Sequence, residues 1–290
     1  MQSRSLGTHN GSFHADEVTA SALLLLFNLI DRDKIYRTRD PIILEKCEYV
    51  CDVGGIYDTK SKRFDHHQVD YQGPLSSAGM ILLYLKDQKI LTDKLFRFFR
   101  ECLVHGVDLH DNGLMNIEPG VCTFSHVISN FMPIEYSASG EELDGAFFQA
   151  VDFTLSHLER MKKRYEYTLG CRKEVEAEMA NHSVCLFFDK SIPWIDNFFS
   201  LGGENHPSRF VIMPSSEHWK LRGIPPTLKQ RMKIRTPLPE KWAGLHEDDL
   251  KKATGIDGAV FCHKGRFISI WETKEDAIKA LNLILKEEEK

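Results

Sequence analysis

The chain lacks any CxxC pair. Its seven cysteines stand scattered at positions 47, 51, 102, 122, 171, 185 and 262. An odd, dispersed set excludes a disulfide scaffold and fits reduced thiols in a cytoplasmic compartment. Long apolar runs are missing too: the longest, Ala20 to Ile30, has Asn28 inside it, and a bilayer span needs about 20 apolar residues. That run is expected to be a buried helix, with no membrane partner, and no export or transit segment precedes the first motif. Positive charge is not in excess, because 37 Lys and Arg stand against 42 Asp and Glu, a net charge of -5. A basic coat of the histone kind is excluded, and any nucleic-acid contact must come from a local patch. No internal repeat or low-complexity stretch is present apart from the charged Lys286 to Lys290 tail, which reads as a frayed end. A hydrophobic content of 42% with 27% charged residues gives no indication of disorder, and 290 residues suffice for one large domain or two modest ones.

Imidazole and carboxylate are plentiful and clustered. His9, His14 and Asp16 lie in THNGSFHADE, Asp52 in YVCDVGG, Asp65, His66 and His67 in RFDHHQ, and Asp108 and Asp111 in HGVDLHDNG. Neutral imidazole and carboxylate hold Mn, Fe, Co or Zn while leaving positions open for water and substrate. Two ions about 3.5–4 Å apart need a bridging carboxylate and several terminal ligands. His9, His14, Asp16, Asp52, His66, His67 and Asp108 supply enough donors for two ions, with one imidazole left to touch substrate. Gly54 and Gly55 after Asp52 allow a sharp turn that brings backbone close to ligand.

Competing readings are weaker. Cys47 and Cys51, four apart on one strand, share a face without thiolate neighbours, so core packing is expected rather than zinc. His105, His110 and His126 have no comparable partners and read as structural or surface residues.

Strands are expected near Ser5 to His9, Lys34 to Arg37 and Glu48 to Asp52, with a helix from Glu17 to Ile30. SSAGMILLYLKD and LTDKLFRFFRECLVHG read as sheet-covering helices, the first capped by serine. Alternation of strand and helix indicates an α/β sheet. His9, Asp52 and His66 each stand at the end of an apolar run, where ligands gather in such sheets. Gly145 to Met179 reads as one long connecting helix with Phe147, Val151, Leu155, Leu158 and Met161 along one side. Beyond it, HSVCLFF, RFVIMP, HWKLRGI, AVFCH and RFISIW read as short strands of a smaller α/β unit, closed by a helix that Thr273 caps with Asp276.

That second unit carries a basic stretch, Lys220, Arg222, Lys229, Arg231, Lys233 and Arg235, around Gly223-Ile224-Pro225-Pro226. Such a run can steer a polyanion or serve equally as a solvated face; Arg222, Arg231 and Lys233 are the candidate phosphate contacts. Trp194 and Trp219 read as core rather than base-stacking residues.

The segments THNGSFHADE, YVCDVGGIYD, RFDHHQ and HGVDLHDNG resemble the four motifs of the Myg family, named for a melanocyte-proliferation gene, within the wider DHH phosphoesterases. PSSEHWKLRGIPP, GLHEDDLKKATGIDGAVFCHKGRFI and the connecting helix resemble Myg-family segments as well. The resemblance implies an N-terminal DHH-type metal-binding domain over residues 1–180, with a mainly parallel sheet flanked by helices and the long connecting helix. It implies a smaller C-terminal α/β accessory domain over residues 181–290 that binds substrate. By the same likeness one ion is held by His9, His14 and Asp52, and the other by Asp16, Asp52, His66 and Asp108, with Asp52 bridging and His67 facing the substrate phosphate. His263, with Lys264 and Gly265, resembles the substrate-side motif of the accessory domain. The commoner superfamily motif has an aspartate where His14 stands, with spacing one residue shorter. An imidazole there makes the subsite less anionic and favours Mn, Co or Zn over Mg.

The implied chemistry is attack on phosphorus by a water activated between two divalent cations, Mn first, with Co, Zn or Mg as alternatives. His67 would stabilise charge growing on phosphate oxygens, while Asp65 and Asp111 would orient imidazoles. The expected function is a metal-dependent phosphodiesterase, a 3′-to-5′ exonuclease on single-stranded RNA or short oligonucleotides. Inorganic pyrophosphate or cyclic-dinucleotide hydrolysis remains an alternative within enzymes. A noncatalytic metal-bearing or RNA-binding module is the alternative outside them.

Overall fold

The computed structural model describes residues 2–288, and the chain gathers into two compact units, Met1–Tyr165 and Glu166–Lys290. The protein is mixed α/β, with one five-stranded sheet in each unit.

In the first unit, β1 (Gln2–Thr8) is buried from Ser5 to Thr8, as a strand covered on both faces must be. Helix α1 (Ala15–Leu26) is buried from Ala15 to Leu24. It stops short of the expected Ile30 because Asn28 takes a left-handed φ of 55°, a conformation that ends a helix. After β2 (Ile35–Arg37) comes a short helix, α2 (Pro41–Lys46), that hydrophobic spacing does not reveal. The Asp40 carboxylate starts it by accepting from the Ile42 amide at 2.9 Å, and Pro41 stands at its first turn.

Strands β3 (Cys47–Cys51), β4 (Tyr57–Asp58) and β5 (Arg63–Phe64) complete a sheet of order β2-β1-β3-β5-β4. All its pairs are parallel except β4 with β5 at the edge. Because β1, β3 and β5 run parallel side by side, the residues that follow them leave the sheet at one end: His9, Asp52 and Asp65 to His67. That end is where α/β sheets bind ligands.

Cys47 packs with Leu44, Val50 and Val53, whereas Cys51 lies in the main core with Tyr49. The two thiols therefore belong to different apolar clusters instead of sharing one face. A register shift between the pairs Gln2↔Cys47 and Leu6↔Tyr49 places the extra residues in β1, where Arg4 has a φ of 60°.

The helices that follow are α3 (Ser77–Asp87), α4 (Asp93–Phe99), α5 (His105–Asp111), α6 (Phe124–Ser129) and α7 (Gly140–Gly170). The stretch expected as one helix is divided: a π-helical turn, Arg100–Val104, joins α4 to α5. Such a turn shifts the helical phase, and π turns are frequent beside functional sites. The core joins Leu6 and Phe64 of the sheet to Leu23, Ile81, Phe99, Phe147 and Val151 of the helices. Each fully buried side chain of this size contributes about 1.5–3 kcal/mol.

In the second unit, Cys171 interrupts the expected connector, so that α8 (Arg172–Met179) is a separate helix after α7. Strand β6 (Cys185–Phe187), α9 (Ile195–Ser200), β7 (Phe210–Ser215), β8 (His218–Gly223), α10 (Glu247–Thr254), β9 (Ala259–Cys262), β10 (Ile268–Trp271) and α11 (Lys274–Glu288) follow. The sheet order is β6-β7-β8-β10-β9, parallel only between β6 and β7. Trp242 and Trp271 centre one apolar cluster, and Trp194 with Phe198 another. Thr273 caps α11 as expected, its hydroxyl accepting from the Asp276 amide at 3.1 Å and donating to the Asp276 carboxylate at 2.7 Å. Lys286 to Glu288 continue α11 instead of fraying, and Glu289 and Lys290 of that tail lie outside the described residues. Among the described residues no helix is long and apolar enough to cross a membrane.

Candidate metal centre

His9 follows β1 directly, with Nδ1 3.2 Å from the Asn10 carbonyl and Nε2 3.0 Å from Glu17 Oε1 and 3.3 Å from Asp52 Oδ2. A backbone contact at one ring nitrogen sets the tautomer and leaves the other for a metal. His14 precedes α1, and its amide donates to both oxygens of Glu17 at 3.1 Å. This is the spacing of a helix-start box. The Glu17 carboxylate is thereby held inward, beside His9.

Asp16, in the first turn of α1, is fully buried. It accepts from Ser76 Oγ at 2.5 Å and from the Ser77 and Ala78 amides at 2.9 and 2.6 Å, and so sits against the start of α3. Asp52, at the end of β3, has a left-handed φ of 58°. That conformation costs a non-glycine residue about 1–2 kcal/mol and turns its carboxylate into the cluster. Its Oδ1 lies 3.5 Å from His66 Nε2 and 3.3 Å from His67 Nδ1, while Oδ2 faces His9.

Asp65 ties the third motif together. One oxygen accepts from the Gly55 amide at 2.6 Å; the other accepts from the His67 amide at 3.1 Å and contacts its ring Nδ1 at 2.8 Å. Gly55 has φ of 68°, open to glycine without strain, and this lets its amide turn toward Asp65. His66 Nε2 lies 3.1 Å from Asp111 Oδ2 and 3.8 Å from Asp16 Oδ2.

Among the described residues, three groups place donor atoms within 4.8 Å of one another: His9, His14, Glu17 and Asp52; Asp52, His66 and His67; and Asp16, His66 and Asp111. Asp52 belongs to the first two and His66 to the last two. Asp108 belongs to none of them. Its Oδ1 accepts from the Ser76 and Gly79 amides, each at 3.1 Å, and lies 2.8 Å from Ser76 Oγ, whose single proton it shares with Asp16. The helix face that presents Asp111 to His66 leaves Asp108 anchoring the start of α3. Glu17 escapes a reading based on motif chemistry; the His14-to-Glu17 offset at a helix start was the available signal.

Burial and charge act against each other here. Burial works to lower the His9 pKa, and its contacts with Asp52 and Glu17 overcome this and raise it to about 10. Burial likewise opposes charge on His66, and Asp111 and Asp52 push it up to about 11. Burial lifts Asp16 well above the usual carboxylate range, aided by Asp52 and Asp111, and it also raises Glu17 and Asp108. Asp52 escapes: burial would raise it, but the His66 and His9 imidazoles bring it down to about 2. The imidazoles thus stand as the neutralising charges among buried carboxylates.

A divalent cation fits that role. Asp52 Oδ1 and His66 Nε2 are buried without an aligned hydrogen bond, held by ion-pair contacts with each other and with Asp111, and coordination would satisfy both. The donor set is the imidazole and carboxylate mixture suited to Mn, Fe, Co or Zn. The cluster opens on a cavity of about 950 Å³ whose wall also includes Arg39, His110, Ser125 and Ser129. His110, expected as a bystander, is therefore on that wall.

The candidate substrate contacts of the second unit do not form one uniform group. Arg222 on β8 is half-buried, and its Nε has no partner. Arg231 pairs with Asp196 at 2.5 Å, Lys233 is exposed, and His263 Nδ1 accepts from the Gly265 amide at 2.9 Å.

The MYG1 exonuclease family model, described as an uncharacterised protein family (UPF0160), matches residues 5–285. The chain belongs to this family. The MYG1 protein of Chlamydia trachomatis is 53% identical over 98% of both chains. The Mus musculus protein called MYG1 exonuclease is 29% identical, covering 94% of this chain and 82% of its own. A RecJ structure from Thermus thermophilus with Mn2+ matches at 12% identity and a TM-score of 0.28, over 98% of this chain and 52% of its own, a likeness too slight to bear on chemistry. In this MYG1-family chain, all four motifs supply a residue to the ligand groups, the fourth through Asp111.

Proposed function

We propose that this MYG1-family chain is a metal-dependent phosphodiesterase acting as a 3′-to-5′ exonuclease on single-stranded RNA or short oligonucleotides. The observation that carries the reading is the sharing of Asp52 and His66 between adjacent ligand groups, the arrangement two neighbouring cations require. A relative called an exonuclease supports a nucleic-acid substrate.

His9, His14 and Asp52, with Glu17 in reach, would hold one ion; Asp16, Asp52, His66 and Asp111 would hold the other. Mn is the foremost candidate, ahead of Co, Zn and Mg, because two of the first subsite's donors are imidazoles. A bound pair supplies a water acidic enough to attack phosphorus near neutral pH, together with positive charge against the phosphate.

The chain's own residues do the rest. Asp65 would accept the proton of His67 Nδ1, 2.8 Å away, and so fix the ring. When protonated, its Nε2 can donate to a phosphate oxygen as charge grows there. His67 is 64% exposed, as a residue that meets substrate at the cavity mouth should be. Arg222, Lys233 and His263 are the proposed contacts for the distal part of the substrate. Arg231 would serve only after leaving Asp196. The buried free thiols Cys47, Cys51, Cys171, Cys185 and Cys262 fit a reducing compartment such as the cytoplasm.

The test is a side-by-side assay of end-labelled single-stranded RNA, DNA, a dinucleotide, a cyclic dinucleotide and pyrophosphate with Mn2+. Release of mononucleotides from the 3′ end of RNA, lost in Asp52→Asn and His66→Ala, is the expected result. Retained cleavage in both variants overturns the site. Turnover of pyrophosphate or the cyclic dinucleotide alone overturns the substrate.

A further inference from the structure

We infer that Arg37 is a positioning residue for the His9 side of the metal centre, a role that rests on the two-ion reading above. Arg37 ends β2, and its side chain is only 1% exposed. Its guanidinium spans two elements: Nη1 donates to Asp144 of α7 at 2.6 Å, and Nη2 donates to the Gly11 carbonyl at 2.6 Å. The plane lies over the Phe147 ring at 4.6 Å and beside the Phe13 ring at 5.7 Å, and those two rings pack edge to face.

Gly11 and Phe13 belong to the loop that separates His9 from His14. Nothing regular holds that loop, since β1 ends at Thr8 and α1 begins at Ala15, and Gly11 sits at a φ of 87°. One buried arginine therefore fixes both the loop's backbone, through Gly11, and its apolar side chain, through Phe13. A planar fork with several donors can satisfy two acceptors at once, which an ammonium on a flexible stem does not reproduce. Arg37 also places a permanent positive charge near Glu17, whose carboxylate is fully buried. Both effects act on the group His9, His14, Glu17 and Asp52. The hydrogen bonds and the ion pair of Arg37 go to Gly11 and Asp144, and not to Asp16, His66 or Asp111.

The test is Mn2+ titration by calorimetry and electron paramagnetic resonance on the wild-type chain and on Arg37→Lys, with the unfolding midpoint of the metal-free forms measured alongside. The wild type is expected to bind two ions. Arg37→Lys should weaken one of them by about tenfold to a hundredfold, the usual scale for a residue behind the ligands, and leave the other unchanged. Should Arg37→Lys fail to fold, Asp144→Asn, which releases the tether but keeps the guanidinium, should show the same selective loss to a smaller degree. Equal weakening of both ions, or of neither, overturns the role of Arg37 while leaving the metal centre intact. A wild type that binds no Mn2+ overturns the metal reading, and the role of Arg37 with it.

Discussion

Asp52 Oδ1 and His66 Nε2 face each other at 3.5 Å, both buried and neither in an aligned hydrogen bond, with Asp111 Oδ2 3.1 Å from the same nitrogen. The residues lie on neighbouring parallel strands, Asp52 one step past β3 and His66 two steps past β5. Poorly satisfied buried polar groups cost about 1–3 kcal/mol each, a cost that a cation coordinated between Asp52 and His66 would remove.

The first prediction concerns Asp52, the shared carboxylate. Asparagine tolerates the left-handed backbone that Asp52 adopts, where alanine would add strain, so Asp52→Asn removes charge with little damage to the fold. It should lower kcat/KM by at least about 10²–10³-fold, the scale on which one charge-stabilising group is felt, with an unfolding curve close to wild type. Steady-state kinetics with Mn2+ and urea denaturation check both halves.

Asp111 and Asp108 should separate cleanly. Asp111→Asn is expected to abolish high-affinity binding of one Mn2+ with little change in stability, since its carboxylate faces His66. Asp108→Ala should do the reverse, removing the acceptor for Ser76 and Gly79 and costing about 1–3 kcal/mol while both ions still bind. Calorimetric stoichiometry paired with denaturant unfolding distinguishes the two. Loss of Mn2+ in a folded Asp108→Ala would place Asp108 among the ligands.

Gly79 bears on the same anchor. A Cβ there would stand 2.4 Å from Asp108 Oδ1, so Gly79→Ala must displace the Asp108 carboxylate from its anchor or push α3 away from α5. Overpacking of this kind costs about 1–3 kcal/mol, and a fall in the urea midpoint of that order is expected. An unchanged midpoint would mean that the Asp108 carboxylate does not pack against Gly79 this closely.

Metal removal provides a further check. Ligand that binds only the folded state stabilises it by about 2.7 kcal/mol at one hundred times its dissociation constant. Mn2+ should therefore raise the thermal midpoint, and EDTA should reverse the rise. In Asp52→Asn the increment should largely vanish.

The sequence carried much of this in particular residues. His9, Asp52 and His66 stand at the ends of apolar runs, and the runs are parallel neighbours in the sheet, so their convergence followed from the α/β pattern. The fourth motif was harder. Asp108 and Asp111 are three apart on one helix, and spacing puts both on nearly one face; Asp111 meets His66, while Asp108 Oδ1 is taken up by the start of α3 and its Oδ2 is buried without a hydrogen bond. Neither contact has a period that a sequence displays. Glu17 hid inside an ordinary helix start, and α2 was signalled only by Asp40 and Pro41. The break at Cys171 divides a stretch whose apolar spacing runs on without a proline.

The most direct measurement is anomalous scattering from crystals of the wild-type chain grown with Mn2+. Two peaks are predicted, one beside His9, His14 and Asp52, the other beside Asp16, His66 and Asp111, with Asp52 touching both. A map with no peak in this cluster, or with Mn2+ bound only elsewhere on the molecule, would contradict the account.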